Sequence, residues 1–169
     1  MRLVDNGITR YDWIPVTADS PGIADPDNPT IAELSAGTNI TLMVARATSI
    51  NAAASDTVND PGVVETANIV VPSLGNYEGT LVLFRSYANG TLDDDDLGTT
   101  IRAGGMGFVV RRLGKSYDVA HDPADTVSLF KFLPDNPSSS GGSGDGYVKS
   151  TYPLLQQGVM AIDVQPVAA

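Results

Sequence analysis

Four consecutive aspartates, Asp93–Asp96 in the stretch TLDDDDLGTT, are the densest set of ligating or acid–base groups in the chain. The single histidine, His121, and the lack of cysteine leave three chemistries for them: an oxygen-only cation site, carboxylate acid–base work, or a charged helix start. A calcium loop of the EF-hand type needs oxygen ligands at positions 1, 3 and 5, glycine at 6 and glutamate at 12. Counted from Asp93, Asp95 and Gly98 fall on positions 3 and 6, but Leu97 occupies 5 and Gly104 occupies 12. The pattern therefore fails as a cation site. Acidic side chains beside the positive end of a helix each contribute about 0.3–1 kcal/mol. The segment Asp94–Ala103 reads as such a helix, stopped by Gly104-Gly105. Asp93, Asp94, Asp95 and Asp96 are assigned to its acidic start.

Other chemical readings fail in turn. His121, in AHDPAD, would need a serine and a carboxylate across space to act as a base, and no G-x-S-x-G stretch is present. It is expected on the surface. In SSSGGSGDGYVKS, Gly141 and Gly146 have the separation of a phosphate loop, but Tyr147 and Val148 stand between the glycine and Lys149. A flexible loop is the better reading. Twenty acidic residues make accidental carboxylate pairs unavoidable, so no glycosidase pair stands out. Trp13 and the tyrosines fall in strand-like stretches and read as core. NIT at Asn39 and NGT at Asn89 match a glycosylation sequon, but the opening MRLVDNGITR lacks the apolar core of a signal peptide. The expected site inventory is empty: no catalytic residue, no cofactor, no metal.

The elements around these residues decide what remains. At 169 residues, 17.6 kDa and 42% hydrophobic, the chain suits one domain with one sizeable core, residues 1–169. Long loops are expected near 17–29, 49–62 and 134–146. Seventeen glycines, eleven prolines and abundant threonine and valine favour turns and strands. A net charge of −10 repels phosphate, which argues against tight binding to nucleic acid or an anionic membrane. No apolar run approaches the ~20 residues that span a bilayer.

Strands are expected over Thr9–Val16, Thr38–Ala47, Val63–Val71, Tyr77–Tyr87, Met106–Gly114 and Asp125–Leu133, with a closing pair over Tyr147–Gln156 and Val159–Val167. Val63–Val71 and Tyr77–Tyr87 read as an antiparallel pair, the second covered on both faces. PTIAELSAG reads as one helical turn, with Pro29 before it, Glu33 near its start and Gly37 as its stop. The sum is a mainly β chain, a β-sandwich or rolled barrel with a short flanking helix.

The order of these segments resembles a known family. PTIAELSAGTNIT is similar to the P-x-x-A-E-L-x-A-G-x-x-[LI]-T opening of major tail tube proteins of long-tailed (siphovirus-type) bacteriophages, particularly those of actinobacteria. The likeness continues through Gly104-Gly105, GFVVRRLGK (Gly107–Lys115), DPADTVSLFKF (Asp122–Phe132) and the ending GVMAIDVQPVAA. The resemblance implies a structural, non-enzymatic subunit made in the bacterial cytoplasm and carried in the virion tail. Six copies would form a ring, and stacked rings would form an acidic channel for DNA ejection. Its partners would be itself and the tape-measure, tail-terminator and distal tail proteins, with DNA passing unbound. Within that frame Arg46, Arg85, Arg102, Arg111 and Arg112 are candidate contacts between subunits, because arginine pairs carboxylates bidentately. A capsid decoration or head–tail joining protein is the alternative.

Overall fold

A computed structural model describes residues 7–59, 70–72, 74–85, 87–88, 91–92, 101, 104–140 and 147–168. The aspartate run, the expected helix over Asp94–Ala103 (save Ile101) and Arg102 lie outside the described residues.

The main antiparallel sheet is built on β1 (Thr9–Pro15), β9 (Gly107–Leu113), β10 (Val127–Pro134), β12 (Lys149–Val164) and β6 (Asn76–Phe84). The two-residue β2 (Thr38–Asn39) and β3 (Ser49–Ala53) stand at its ends, giving the order β2-β1-β9-β10-β12-β6-β3. A short β11 (Ser138–Ser140) also pairs with β12. Two two-stranded antiparallel sheets, β4 (Thr57–Asn59) with β5 (Val70–Pro72) and β7 (Tyr87–Ala88) with β8 (Thr91–Leu92), are separate from the main sheet.

Strand alternation sorts the apolar residues into two cores. Trp13, Val109, Phe130 and Phe132 project to one face, joined by Ile50, Tyr77, Leu81 and Leu83 from the far end of the sheet. That is possible only because the sheet rolls, so that its β1-β9-β10 half faces its β6-β3 half across one apolar layer. Tyr77 lies 5.9 Å from Phe130 and 5.0 Å from Phe132, centroid to centroid. Long β12 serves both halves. It pairs with β6 over Lys149–Leu154 and with β10 over Leu154–Val164, with two register shifts against β10, one of which, opposite Phe130–Phe132, contains Gly158 at φ 103°. The opposite face carries the smaller core of Ile14, Ile23, Leu34, Phe108, Val110, Val127 and Leu129. It lies under α1 (Ile31–Ser35), whose Thr30 and Glu33 form a reciprocal capping box. The result is a mainly β sandwich with a little helix.

The helical turn at PTIAELSAG and the strands β1, β6, β9 and β10 agree with the sequence reading. Leu81, Val82 and Leu83 are all buried, as expected of a strand covered on both faces. Four expectations are corrected. Thr38–Ala47 is not one strand: after β2 it enters a 3-10 turn, Thr41–Met43, because Thr41 Oγ1 and the Ile40 amide both bond to the Tyr11 backbone. Ser49–Gly62 is not wholly a loop, since the edges of β6 and β5 recruit it as β3 and β4. Of the expected strand Val63–Val71 only Val70 and Val71 lie within the described residues; they belong to β5, which pairs with β4 and not with β6, whose two edges are held by β3 and β12. The closing pair is one strand, because Gly158 supplies a bulge and no reversal.

Candidate functional site

The strongest concentration of polar chemistry is the joint between β1 and the β9–β10 loop. Asp12, on the same face of β1 as Ile14, is wholly buried. Arg10 donates to it from Nε at 3.0 and 2.8 Å and from Nη2 at 2.8 Å, and His121 Nε2 lies 3.0 Å from Asp12 Oδ2. Arg112 is also fully buried and donates to Ala120 O at 3.0 Å, Asp125 Oδ2 at 3.2 Å and Ser116 O at 2.8 Å. Lys115 pairs with Asp122 and, at 2.6 Å, with Asp125 Oδ1. Burial works most strongly against the charged form of Asp125. Lys115, the Asp122 amide and Arg112 together outweigh it and hold the carboxyl below its ordinary value. The Lys115 hydrogen bond, then the Ala124 amide, lowers Asp122 likewise, and the two carboxylates raise Lys115.

This cluster has parts of a hydrolase site but not its logic. The second ring nitrogen of His121 faces Asp125 Oδ2 at 3.8 Å, where a nucleophile's hydroxyl would have to stand. The His121, Asp12 and Asp125 side chains are at most 1% exposed, so substrate has no approach. The arrangement clamps the loop 114–126 onto the sheet. The expectation of a surface histidine is thus corrected: the ring is buried because it is one of the partners that satisfy the Asp12 carboxylate. A legible signal was Asp12 itself, a carboxylate beside Trp13 and Ile14 in a strand, which demands buried partners. Among the described residues no group of three His, Asp or Glu side chains could hold a metal ion.

The arginines sort by their partners. Arg112 belongs to the clamp. Arg111 Nη1 donates to Ile50 O at 3.1 Å and its guanidinium lies 5.8 Å from the Phe130 ring centroid, tying β9 to β3 across the roll. Arg85 is half-buried and donates to Ser150 Oγ at 2.8 Å. Arg46 is exposed, on the turn after the 3-10 segment. Arg102 lies outside the described residues.

What the surface offers is edges. Among the described residues, β3 has β6 as its only partner strand, and β12 beyond Leu154 has β10 alone. Leu155 (47% exposed) and Ile162 (44%) lie on that stretch of β12, and Leu74 (67%) and Tyr147 (81%) add apolar surface elsewhere. Unpaired strand edges flanked by exposed apolar side chains are templates for another chain.

Comparison with known proteins agrees with this picture. No curated protein sequence matches the chain. The fold is similar to that of a chain in the cryo-EM structure of the anti-feeding prophage (AFP) baseplate, 6-fold symmetrised, with a TM-score of 0.50, 15% sequence identity and 95% of each chain covered. The family profile described as phage tail tube protein matches residues 1–169, the whole sequence. That match along the full length leads to one statement: the chain belongs to the phage tail tube protein family.

Proposed function

We propose that this chain is the structural, non-catalytic subunit of a phage tail tube, assembling six to a ring, with rings stacked into an acidic channel through which DNA is ejected. The family match over residues 1–169 carries the reading. The edges of β3 and of β12 beyond Leu154 support it, because neighbouring copies can complete them and remove the aggregation hazard of an open sheet. Six chains at −10 each give a ring of about −60, a field that keeps a DNA polyanion from adhering to the wall. The partners in this reading are further copies, with tape-measure, tail-terminator and distal tail proteins at the tube's bore and ends. Its place is the virion tail, after synthesis in the host cytoplasm.

Negative-stain microscopy of the purified protein over a concentration series tests the proposal. Hollow cylinders or six-membered annuli are expected; persistent monomers at high concentration would overturn it.

A further inference from the structure

The chain carries a groove of about 540 Å³ where its rolled sheet fails to close on itself. The segment 40–48 crosses from one end of the sheet to the other there. It is fastened to β1 by Ile40 N to Tyr11 O at 2.9 Å, and to β6 by Ala45 N to Val82 O at 2.8 Å. Thr41 Oγ1 bonds the Tyr11 backbone and Thr48 Oγ1 bonds the Val82 backbone, so both walls are fixed before anything binds. Tyr117, whose carbonyl accepts from Asn39 Nδ2 at 3.0 Å, lines the far side. Arg46 stands on the wall. Among the described residues it is the one exposed lysine or arginine, while the others are buried or half-buried. In a chain of net charge −10, a pre-formed groove bearing the exposed cation is matched to an anionic occupant.

The same chain offers that occupant. The loop 17–29 exposes Asp19, Asp25 and Asp27 and holds them in a fixed shape. Asp25 accepts from Asn28 Nδ2 at 3.0 Å and from the Asp27 amide at 3.1 Å, and the Ala24 amide bonds Glu33 Oε1 at 2.9 Å. A loop already ordered loses little freedom on docking. It cannot fill the groove of its own chain. Ile23 is buried in the smaller core with Leu34 and Phe108, whereas the groove residues Tyr11 and Val44 pack against the larger core on the opposite face of the sheet.

We propose that the Arg46 groove receives the acidic loop 17–29 of a second copy, with Arg46 pairing the carboxylates of Asp25 and Asp27. This rests on the self-assembly reading and adds to it a specific head-to-tail contact. Groove and loop are different surfaces, so each copy that docks leaves a loop and a groove free for the next.

The absence of native cysteine gives a direct test. The double variant Arg46→Cys/Asp27→Cys, treated with a mild oxidant, is expected to yield a ladder of covalent oligomers. The two single variants mixed should yield a covalent dimer of one with the other, and neither alone should yield a ladder. Arg46→Glu should slow assembly, followed by light scattering, about tenfold, and Asp27→Lys in the same chain should restore it. Circular dichroism should remain unchanged, since both positions are exposed. Tubes that form without a ladder, or an Arg46→Glu rate equal to wild type, would overturn the groove contact and leave the tube reading standing. A ladder from protein that never forms rings or tubes would keep the contact and overturn the tube reading.

Discussion

Removing Arg112 should reveal how much of the fold the ionic clamp carries. In Arg112→Met the stem's volume is kept and three donated hydrogen bonds disappear, to Ala120 O, Asp125 Oδ2 and Ser116 O. Both side chains of the Arg112–Asp125 pair are at most 1% exposed, so water cannot replace the lost donors without opening the loop. Breaking a buried pair by removing one partner costs about 3–5 kcal/mol. Lys115 still faces Asp125 Oδ1 at 2.6 Å and neutralises part of the stranded charge, which places the expected cost at about 3 kcal/mol. For a chain of this size that lowers Tm by roughly 6–12 °C. The assay is urea unfolding of dilute, unassembled protein, followed by fluorescence of the sole tryptophan, Trp13, which is fully buried one residue from Asp12. Asp125→Asn and the double variant complete a cycle. The double variant should cost little more than the worse single, a coupling of at least about 1.5 kcal/mol. An Arg112→Met cost below about 1 kcal/mol, or additive single costs, would refute the clamp.

Three further outcomes follow from the same structure. Gly107→Ala would place a Cβ 2.4 Å from Trp13 Cζ2 and 2.8 Å from Ile14 O. The backbone oxygen cannot yield, so a loss of about 1–3 kcal/mol is expected in urea melts. Thr30→Ala removes the hydroxyl that accepts the Glu33 amide at 3.2 Å and breaks the capping box, at an expected cost of about 1 kcal/mol by the same assay. The carboxyls of Asp122 and Asp125 are lowered from 3.8, so their contribution is present above that value and is lost as pH falls through their depressed folded-state values. Lys115 is raised from 10.5, so its contribution is present below that value and is lost as pH rises through the higher folded-state one. Thermal melts across pH should therefore show a neutral plateau with an acid shoulder, and Lys115→Met should flatten that shoulder; an unchanged acid limb would contradict the assignment.

Much of the fold was legible because some elements are specified by their own residues. In β1, β9 and β10, alternation sets Trp13, Val109 and Phe130 against Ile14, Val110 and Leu129, and each strand announces its two faces without its neighbours. Pro29, Thr30, Glu33 and Gly37 similarly carry the start and stop of α1 within nine residues of chain. Thr38–Ala47 misled because Ile40, Leu42 and Val44 alternate with their neighbours as a strand would, while the segment is a crossover. Its path is set by hydrogen bonds to Tyr11 and Val82, 29 or more positions away.

The arginines show the same division. Read along the chain, Arg46, Arg85, Arg111 and Arg112 stand equal as cations, and the fold made them unequal. Strand parity turned Arg112 toward Asp125 and Arg111 across the roll to Ile50, and left Arg46 on an exposed turn. His121 is the extreme case, 109 positions from the carboxylate that holds it. By itself the sequence determined the class of fold, the faces of the main strands, the excess of negative charge and the family likeness, all of which are sums or short-range patterns. Tertiary structure alone decided which strands pair, which polar groups are buried together and which cation meets solvent. Those depend on contacts between distant residues, whose energies exist only once the chain has closed the loops between them.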